Sequence, residues 1–188
     1  MNEGNVLKSS DSIALGDLAL KYRVLYDEVG GEVFFDRLLM HADIIPRDLA
    51  LAQAANESAW GSSYFARHGN NLFGQWCFIQ GCGIVPRKRP AGDTHEVAVF
   101  NNLAHSIASY IQYLNSHPAF KQLRHERYQA RKNGKHPSGY DMATGLKAYP
   151  ARGMNYVKTL QSMIEKNKKY MGLDALNSPK ENLKIGSL

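Results

Sequence analysis

The sequence predicts an α+β domain that is mainly helical, with one small β insertion in its middle. Three observations predict it. Apolar residues recur at helical spacing on both sides of the chain, as in Leu15, Leu18, Ala19, Tyr22 and Leu25, and in Leu103, Ile107, Tyr110, Ile111 and Leu114. Between residues 69 and 100 that texture gives way to scattered glycines, Pro86 and Pro90 among aromatic and β-branched residues. The chain has 188 residues, 44% hydrophobic and 21% charged, which is enough for one core and excludes disorder as the main state.

The elements follow in order. Residues 1–12 are polar and mixed and read as a flexible tail. Residues 15–26 form a first helix, ended by Gly30-Gly31. Residues 32–41, with Val33, Phe34, Leu38 and Leu39, form a second. Pro46 suits a first helical position, so an Ala- and Leu-rich helix is expected over 46–60, ended by Gly61. The simplest β element joins residues 83–89 to 96–100 as a hairpin around Pro90-Ala91-Gly92-Asp93. Helices are then expected over 103–114, 118–132, 140–146 and 151–170, before a polar tail over 173–188. Residues 13–172 make a single domain, expected to be monomeric.

Composition excludes several classes. Two Cys are too few for a disulfide scaffold. No apolar run reaches the roughly 18 residues of a membrane helix. The N-terminus lacks the basic and apolar pattern of an export signal. Lys and Arg number 23 against 17 Asp and Glu, a net charge of +6, which suits a polyanionic partner: nucleic acid, an anionic membrane or an acidic wall polymer. Basic residues at 87–89 and 124–135 carry no nucleic-acid-binding motif, and the second stretch reads as a solvated face. The seven His lack a metal-binding pattern, so neither a metal nor another cofactor is expected.

Chemistry concentrates at Glu57. The run Leu49-Ala50-Leu51-Ala52-Gln53-Ala54-Ala55-Asn56-Glu57-Ser58-Ala59-Trp60-Gly61 is a small-residue, apolar helix that ends in a carboxylate. A carboxyl in partly apolar surroundings holds its proton to higher pH, as a general acid near neutrality requires. The alternative is a glutamate exposed on the last turn. Gly69-Asn70-Asn71-Leu72-Phe73-Gly74 follows as a rigid turn whose side chains serve a cleft or merely shape the turn.

Together these two motifs resemble the endo-β-N-acetylglucosaminidases of glycoside hydrolase family 73, which include the C-terminal domain of the flagellar protein FlgJ. The similarity continues through Val97-Ala98-Val99-Phe100, Ser106 to Tyr110, and Leu146 to Tyr156. Within that family, Trp76-Cys77-Phe78, Gly81-Cys82-Gly83-Ile84-Val85-Pro86 and His95-Glu96-Val97 resemble the bacterial Bax-type subgroup. The resemblance spans residues 44–164. The chain departs from the family pattern at Gln75-Trp76-Cys77, at Pro150 after Tyr149, and at Ala98, where the family has Arg.

The resemblance implies a lysozyme-like fold with a small β-hairpin lobe over a substrate cleft. It also implies hydrolysis of peptidoglycan glycan strands between N-acetylglucosamine and N-acetylmuramic acid. Glu57 takes the role of acid. A second catalytic group is expected on the hairpin lobe, with Glu96 the first choice and Asp93 the other, unless the substrate's own N-acetyl group serves instead. Tyr149 maps onto a cleft tyrosine expected to assist catalysis. Trp60, Phe73 and Trp76 are candidates for stacking on sugars, and Asn71, Asp93 and Ser106 for lining the cleft; a turn role is the alternative for Asp93 and packing for the others. Cys77 and Cys82, four residues apart, can close a tight disulfide in an oxidising compartment. The expected location is a bacterial periplasm or cell envelope. Muramidase or lytic transglycosylase activity, or a wall-binding module without turnover, remain alternatives.

Overall fold

Helix α3 (Arg47–Glu57) is the axis of the molecule. Its Leu49, Ala52 and Gln53 have no exposed surface, and it packs most extensively on α8 (Gly153–Met171) through Tyr156, Val157, Leu160 and Ile164. This is a computed structural model, and it describes residues 9–25, 31–147, 149 and 153–171. The expected tail over 173–188, most of the N-terminal tail, Tyr26, Gly30 and Pro150 lie outside the described residues.

Helices α1 (Ser9–Tyr22) and α2 (Gly31–His41) come first. The first starts inside the stretch expected as a tail, with Asp11 favourably placed in its first turn. The two share a small core of Ala19, Val24, Phe34 and Leu38. The main core is larger. It joins α3 and α8 to Tyr110 and Leu114 of α5 (Leu103–Ser116), Leu123 of α6 (Lys121–Lys132), and Met142 of α7 (Gly139–Met142).

The helix ends have local causes. Pro46 sits at the N-cap of α3, one place earlier than expected. Ser63, Asn102 and Ser138 cap α4 (Tyr64–Gly69), α5 and α7, each accepting from a backbone N–H three residues on. Helix α4 had no sequence expectation; only Ser63 and the left-handed Asn70 mark its ends. The expected helix over 118–132 opens with a 3-10 turn at Pro118–Phe120, and the one over 140–146 closes with another at Ala143–Leu146. At that second turn a Cβ on Gly145 would stand 2.3 Å from the backbone nitrogen of Leu123, so α6 can approach only because the residue is glycine.

The stretch 124–135 is a solvated face only in part: residues 131–135 are exposed, but two of its arginines are not. Arg124 and Arg127 are 3% and 1% exposed. Arg124 donates to the carbonyls of Leu114 and His117 at the end of α5. Arg127 donates to the carbonyl of Met40 in the last turn of α2 and to those of Asp43 and Ile44 beyond it. Helix C-termini leave carbonyls unpaired, and these two guanidinium groups satisfy them.

The β lobe has three short antiparallel strands: β1 (Trp76–Cys77), β2 (Gly83–Ile84) and β3 (Glu96–Ala98), in the order β1-β3-β2. Trp76 pairs with Val97, and Ile84 pairs with the same Val97 from the other side. The expected hairpin is present but shorter, because residues 85–95 form successive turns, closed by Arg89 N–H to the Pro86 carbonyl and Asp93 N–H to the Pro90 carbonyl. The whole is the mainly helical α+β, lysozyme-like fold that the resemblance implies.

Candidate active site

The chain leaves helical geometry immediately after Glu57. Ala59, Trp60 and Gly61 have φ of 50°, 57° and 78°, three consecutive left-handed residues. Such backbone costs about 1–2 kcal/mol for each non-glycine residue, so something must hold it. Ser58 does. It is 2% exposed, donates its hydroxyl to the Ala54 carbonyl at 2.6 Å and accepts from Gly61 N–H at 2.7 Å. The helix therefore stops at Glu57, three residues before the expected end. Its half-buried carboxylate accepts from Asn56 Nδ2 at 3.0 Å.

Glu57 lines a cleft of about 560 Å³ together with Phe73, Gly74, Gln75, Trp76, Phe78, Ser109, Tyr113 and Tyr149. The floor is aromatic. Phe73 is 3% exposed and stacks on Tyr110 at 3.9 Å. Tyr149 stacks on Tyr156 at 5.8 Å and donates its hydroxyl to the Phe73 carbonyl at 2.7 Å. Burial first, and then the Glu57 charge, hold the Tyr149 phenol above its ordinary range. The β lobe contributes Trp76 and Phe78, 59% and 68% exposed, with Trp76 backed by the His95 ring at 4.0 Å. These flat apolar faces suit sugar rings.

Of the expected site residues, the cleft brings together Glu57, Phe73, Trp76 and Tyr149. The others stand elsewhere. Glu96 is 5% exposed, and its two oxygens accept from Gly81 N–H at 3.0 Å and Gly83 N–H at 2.8 Å. Those two bonds hold its carboxyl below the usual range, and it clamps the loop closed by the Cys77–Cys82 disulfide. The Cys77, Cys82 and Glu96 cluster offers no thiolate, because the sulfurs are bonded to each other. Asp93 is half-exposed in its turn beside His95, 3.5 Å away. Asn71 is 1% exposed. It donates to the Gln75 and Ala98 carbonyls and accepts from Phe73 and Gln75 N–H, so it shapes the floor from beneath. Ser106 is fully buried, and its hydroxyl meets Leu72 N–H. Trp60 is 72% exposed and lines a separate groove with Leu51, Leu72 and Tyr170.

Four cleft residues had no sequence expectation: Gln75, Phe78, Ser109 and Tyr113. Ser109 donates to Gln75 Oε1 at 2.7 Å, and Gln75 Nε2 donates to the Ser106 carbonyl at 3.1 Å. Ser109 and Tyr113 are four residues apart on α5, the only advance sign that they share a face.

This geometry can be set beside known proteins. The family model described as mannosyl-glycoprotein endo-beta-N-acetylglucosaminidase matches residues 35–169. Protein bax of Escherichia coli (strain K12) is 33% identical over 155 residues, covering 82% of this chain and 55% of the relative. The chain therefore spans little more than half the length of that relative. No solved structure gives a significant match. The matched stretch contains Glu57, every other residue of the cleft and the β lobe above it, and on that ground the chain belongs to the glucosaminidase family of glycoside hydrolases.

Proposed function

We propose that this domain is a peptidoglycan hydrolase that cuts the β-1,4 bond between N-acetylglucosamine and N-acetylmuramic acid, with Glu57 as general acid. One observation carries the reading: among the described residues, Glu57 is the single carboxylate in the lining of an aromatic-walled cleft. The net charge of +6 suits an anionic wall, and the Cys77–Cys82 disulfide suits the oxidising space outside the cytoplasm of a bacterium.

With neither Asp93 nor Glu96 in the lining, the second group comes from the substrate. Glu57 gives its proton to the glycosidic oxygen as that oxygen leaves C1. The carbonyl oxygen of the adjacent 2-acetamido group bonds to C1 and forms an oxazolinium ion. Glu57 then takes a proton from water, the water oxygen attacks C1, and the acetamide is restored. Two displacements at C1 retain its configuration, as in substrate-assisted glycosidases.

The test is digestion of purified cell wall by wild type and Glu57→Gln, followed by borohydride reduction and mass spectrometry. Wild type should release fragments ending in N-acetylglucosaminitol, and the variant none. Muramitol or anhydromuramyl ends would instead identify a muramidase or lytic transglycosylase. Binding without turnover by both proteins would identify a wall-binding module.

A further inference from the structure

The β lobe carries a basic turn that the acid chemistry does not use. Pro86-Arg87-Lys88-Arg89-Pro90 leaves β2 and leads back toward β3. A proline at each end fixes φ, and Arg89 N–H closes the turn on the Pro86 carbonyl at 3.0 Å. The Arg89 side chain is committed, because it donates to the His95 carbonyl at 3.2 Å. The His95 ring lies 4.0 Å from that of Trp76, nearly parallel at 16°, on the wall of the cleft. One run of contacts therefore ties the turn to the wall on which a sugar stacks.

Arg87 and Lys88 differ from several other cations of the chain. Arg124 and Arg127 are used on carbonyls, Arg131 on Asp43 and Lys168 on Glu165. Arg87 and Lys88 are exposed and, among the described residues, pair with no carboxylate. No Asp or Glu occurs between residues 77 and 92. The two acids that follow on the lobe are turned to other partners. Asp93 stands 3.5 Å from His95, and both oxygens of Glu96 accept from the Gly81 and Gly83 amides. Two adjacent like charges without a counterion raise the local positive potential and favour an anion arriving from outside.

We propose that Arg87 and Lys88 bind the free carboxylates of the peptides that branch from N-acetylmuramic acid, so that the domain prefers strands bearing peptides to bare glycan. The proposal rests on peptidoglycan as the substrate. Reach supports it. An extended peptide advances about 3.3–3.6 Å per residue, so a stem of about four residues spans about 13–14 Å. From a muramic acid lying against Trp76, such a stem can pass His95 and arrive at the turn. The glycan is left to Trp76 and Phe78. Each exposed ion pair is a small gain that adds to the stacking rather than replacing it.

The test is the affinity of the Glu57→Gln protein, which withholds turnover, for three soluble glycan strands: with stems, with the stem carboxylates converted to carboxamides, and stripped of stems by an amidase. Strands with charged stems should bind about fivefold tighter than either of the others at low salt, the sum of two exposed ion pairs. The preference should vanish near about 0.5 M salt. Adding Arg87→Ala and Lys88→Ala should make the three bind alike, and adding Arg87→Glu and Lys88→Glu should reverse the order. Both side chains are exposed, so the fold tolerates either pair of changes. Equal affinity for charged and amidated stems overturns the proposal, as does a preference that survives the alanine pair. Retention on duplex DNA as tight as on stem-bearing strands would assign the turn to polyanions at large and overturns it too. Wild-type digestion keeps the two readings apart. Strands cut with no stem preference remove this assignment alone, whereas stem-dependent binding with no cutting supports it and removes the hydrolase.

Discussion

Replacing Arg127 by methionine would test what ties the small α1–α2 core to the main one. The guanidinium is 1% exposed. It donates to the Met40 carbonyl at 2.7 Å, the Asp43 carbonyl at 3.0 Å, the Ile44 carbonyl at 2.6 Å and Asn115 Oδ1 at 2.7 Å. Burial pushes the group down to about 10, and it remains charged at neutral pH. Methionine keeps the apolar stem but offers no donor, so four oxygens, one buried and three part-buried, lose a partner. At about 1 kcal/mol net for each bond the loss is about 4 kcal/mol, within the ~3–5 kcal/mol seen when one partner of a buried charged network is removed. For a domain of this size that lowers Tm by about 8–16 °C. Thermal melts followed by circular dichroism at neutral pH measure it. Arg131→Ala is the control. That residue is 41% exposed and pairs with Asp43 at 3.0 Å at the surface. Its loss should cost about 0.5 kcal/mol, or about 1–2 °C. A fall of less than about 3 °C for Arg127→Met would refute the reasoning, since the orphaned carbonyls would then have found other partners.

Three further outcomes follow from the cleft and its support. Joint replacement of Cys77 and Cys82 by serine opens a loop of sequence separation 5, which should cost about 2 kcal/mol and raise KM through Trp76 and Phe78; a KM equal to wild type would detach the disulfide from the cleft. Tyr149→Phe removes the bond to the Phe73 carbonyl and should raise KM more than it lowers the turnover number; a hundredfold fall in turnover at constant KM would make the phenol a chemical participant. The Glu96 carboxyl lies below its ordinary range, so its contribution is full above the usual glutamate value and is lost as pH falls through the lowered one. Hydrogen-exchange protection of the Gly81 and Gly83 amides should fall across that acidic window, and flat protection would contradict the clamp.

Much of this was legible in the residues. Periodicity marked the helices because each buries one face, and the glycine-rich middle marked the β lobe. Glu57 stood out because a carboxylate ends an otherwise apolar helix. The misreadings have a common physical origin. Arg124 and Arg127 looked like a solvated run, since nothing local reveals that the ends of α2 and α5 arrive beside them needing donors. Glu96 looked free to do chemistry, since its partners are backbone amides 13 and 15 residues away. Trp60 looked like a stacking residue of the cleft but stands in a separate groove, since the left-handed turn through Ala59 and Trp60 depends on Ser58 rather than on either residue's own preference. Spacing shows which face a side chain occupies. It does not show which backbone groups will need it.

That distinction leads to a requirement on the substrate. Asn71, Ser106 and Glu96 each spend their polar atoms on backbone partners, and the Tyr149 hydroxyl on Phe73. Gln75 and Ser109 are bonded to each other across the cleft wall. Among the described residues, the lining then offers one carboxyl group, that of Glu57, between aromatic surfaces. On the proposed reading such a site protonates a leaving oxygen and stacks sugars, while the described lining supplies no second anion to the anomeric carbon. On that reading the acetamido group of the sugar being cleaved does so. Wall in which N-acetylglucosamine is N-deacetylated should therefore still bind, because the stacking faces are unchanged, yet turnover should fall by a factor of about 100 or more, on the order of 3 kcal/mol of transition-state stabilisation. Re-acetylation with acetic anhydride should restore it. Equal cleavage of the two walls would mean that another carboxylate reaches the cleft during turnover.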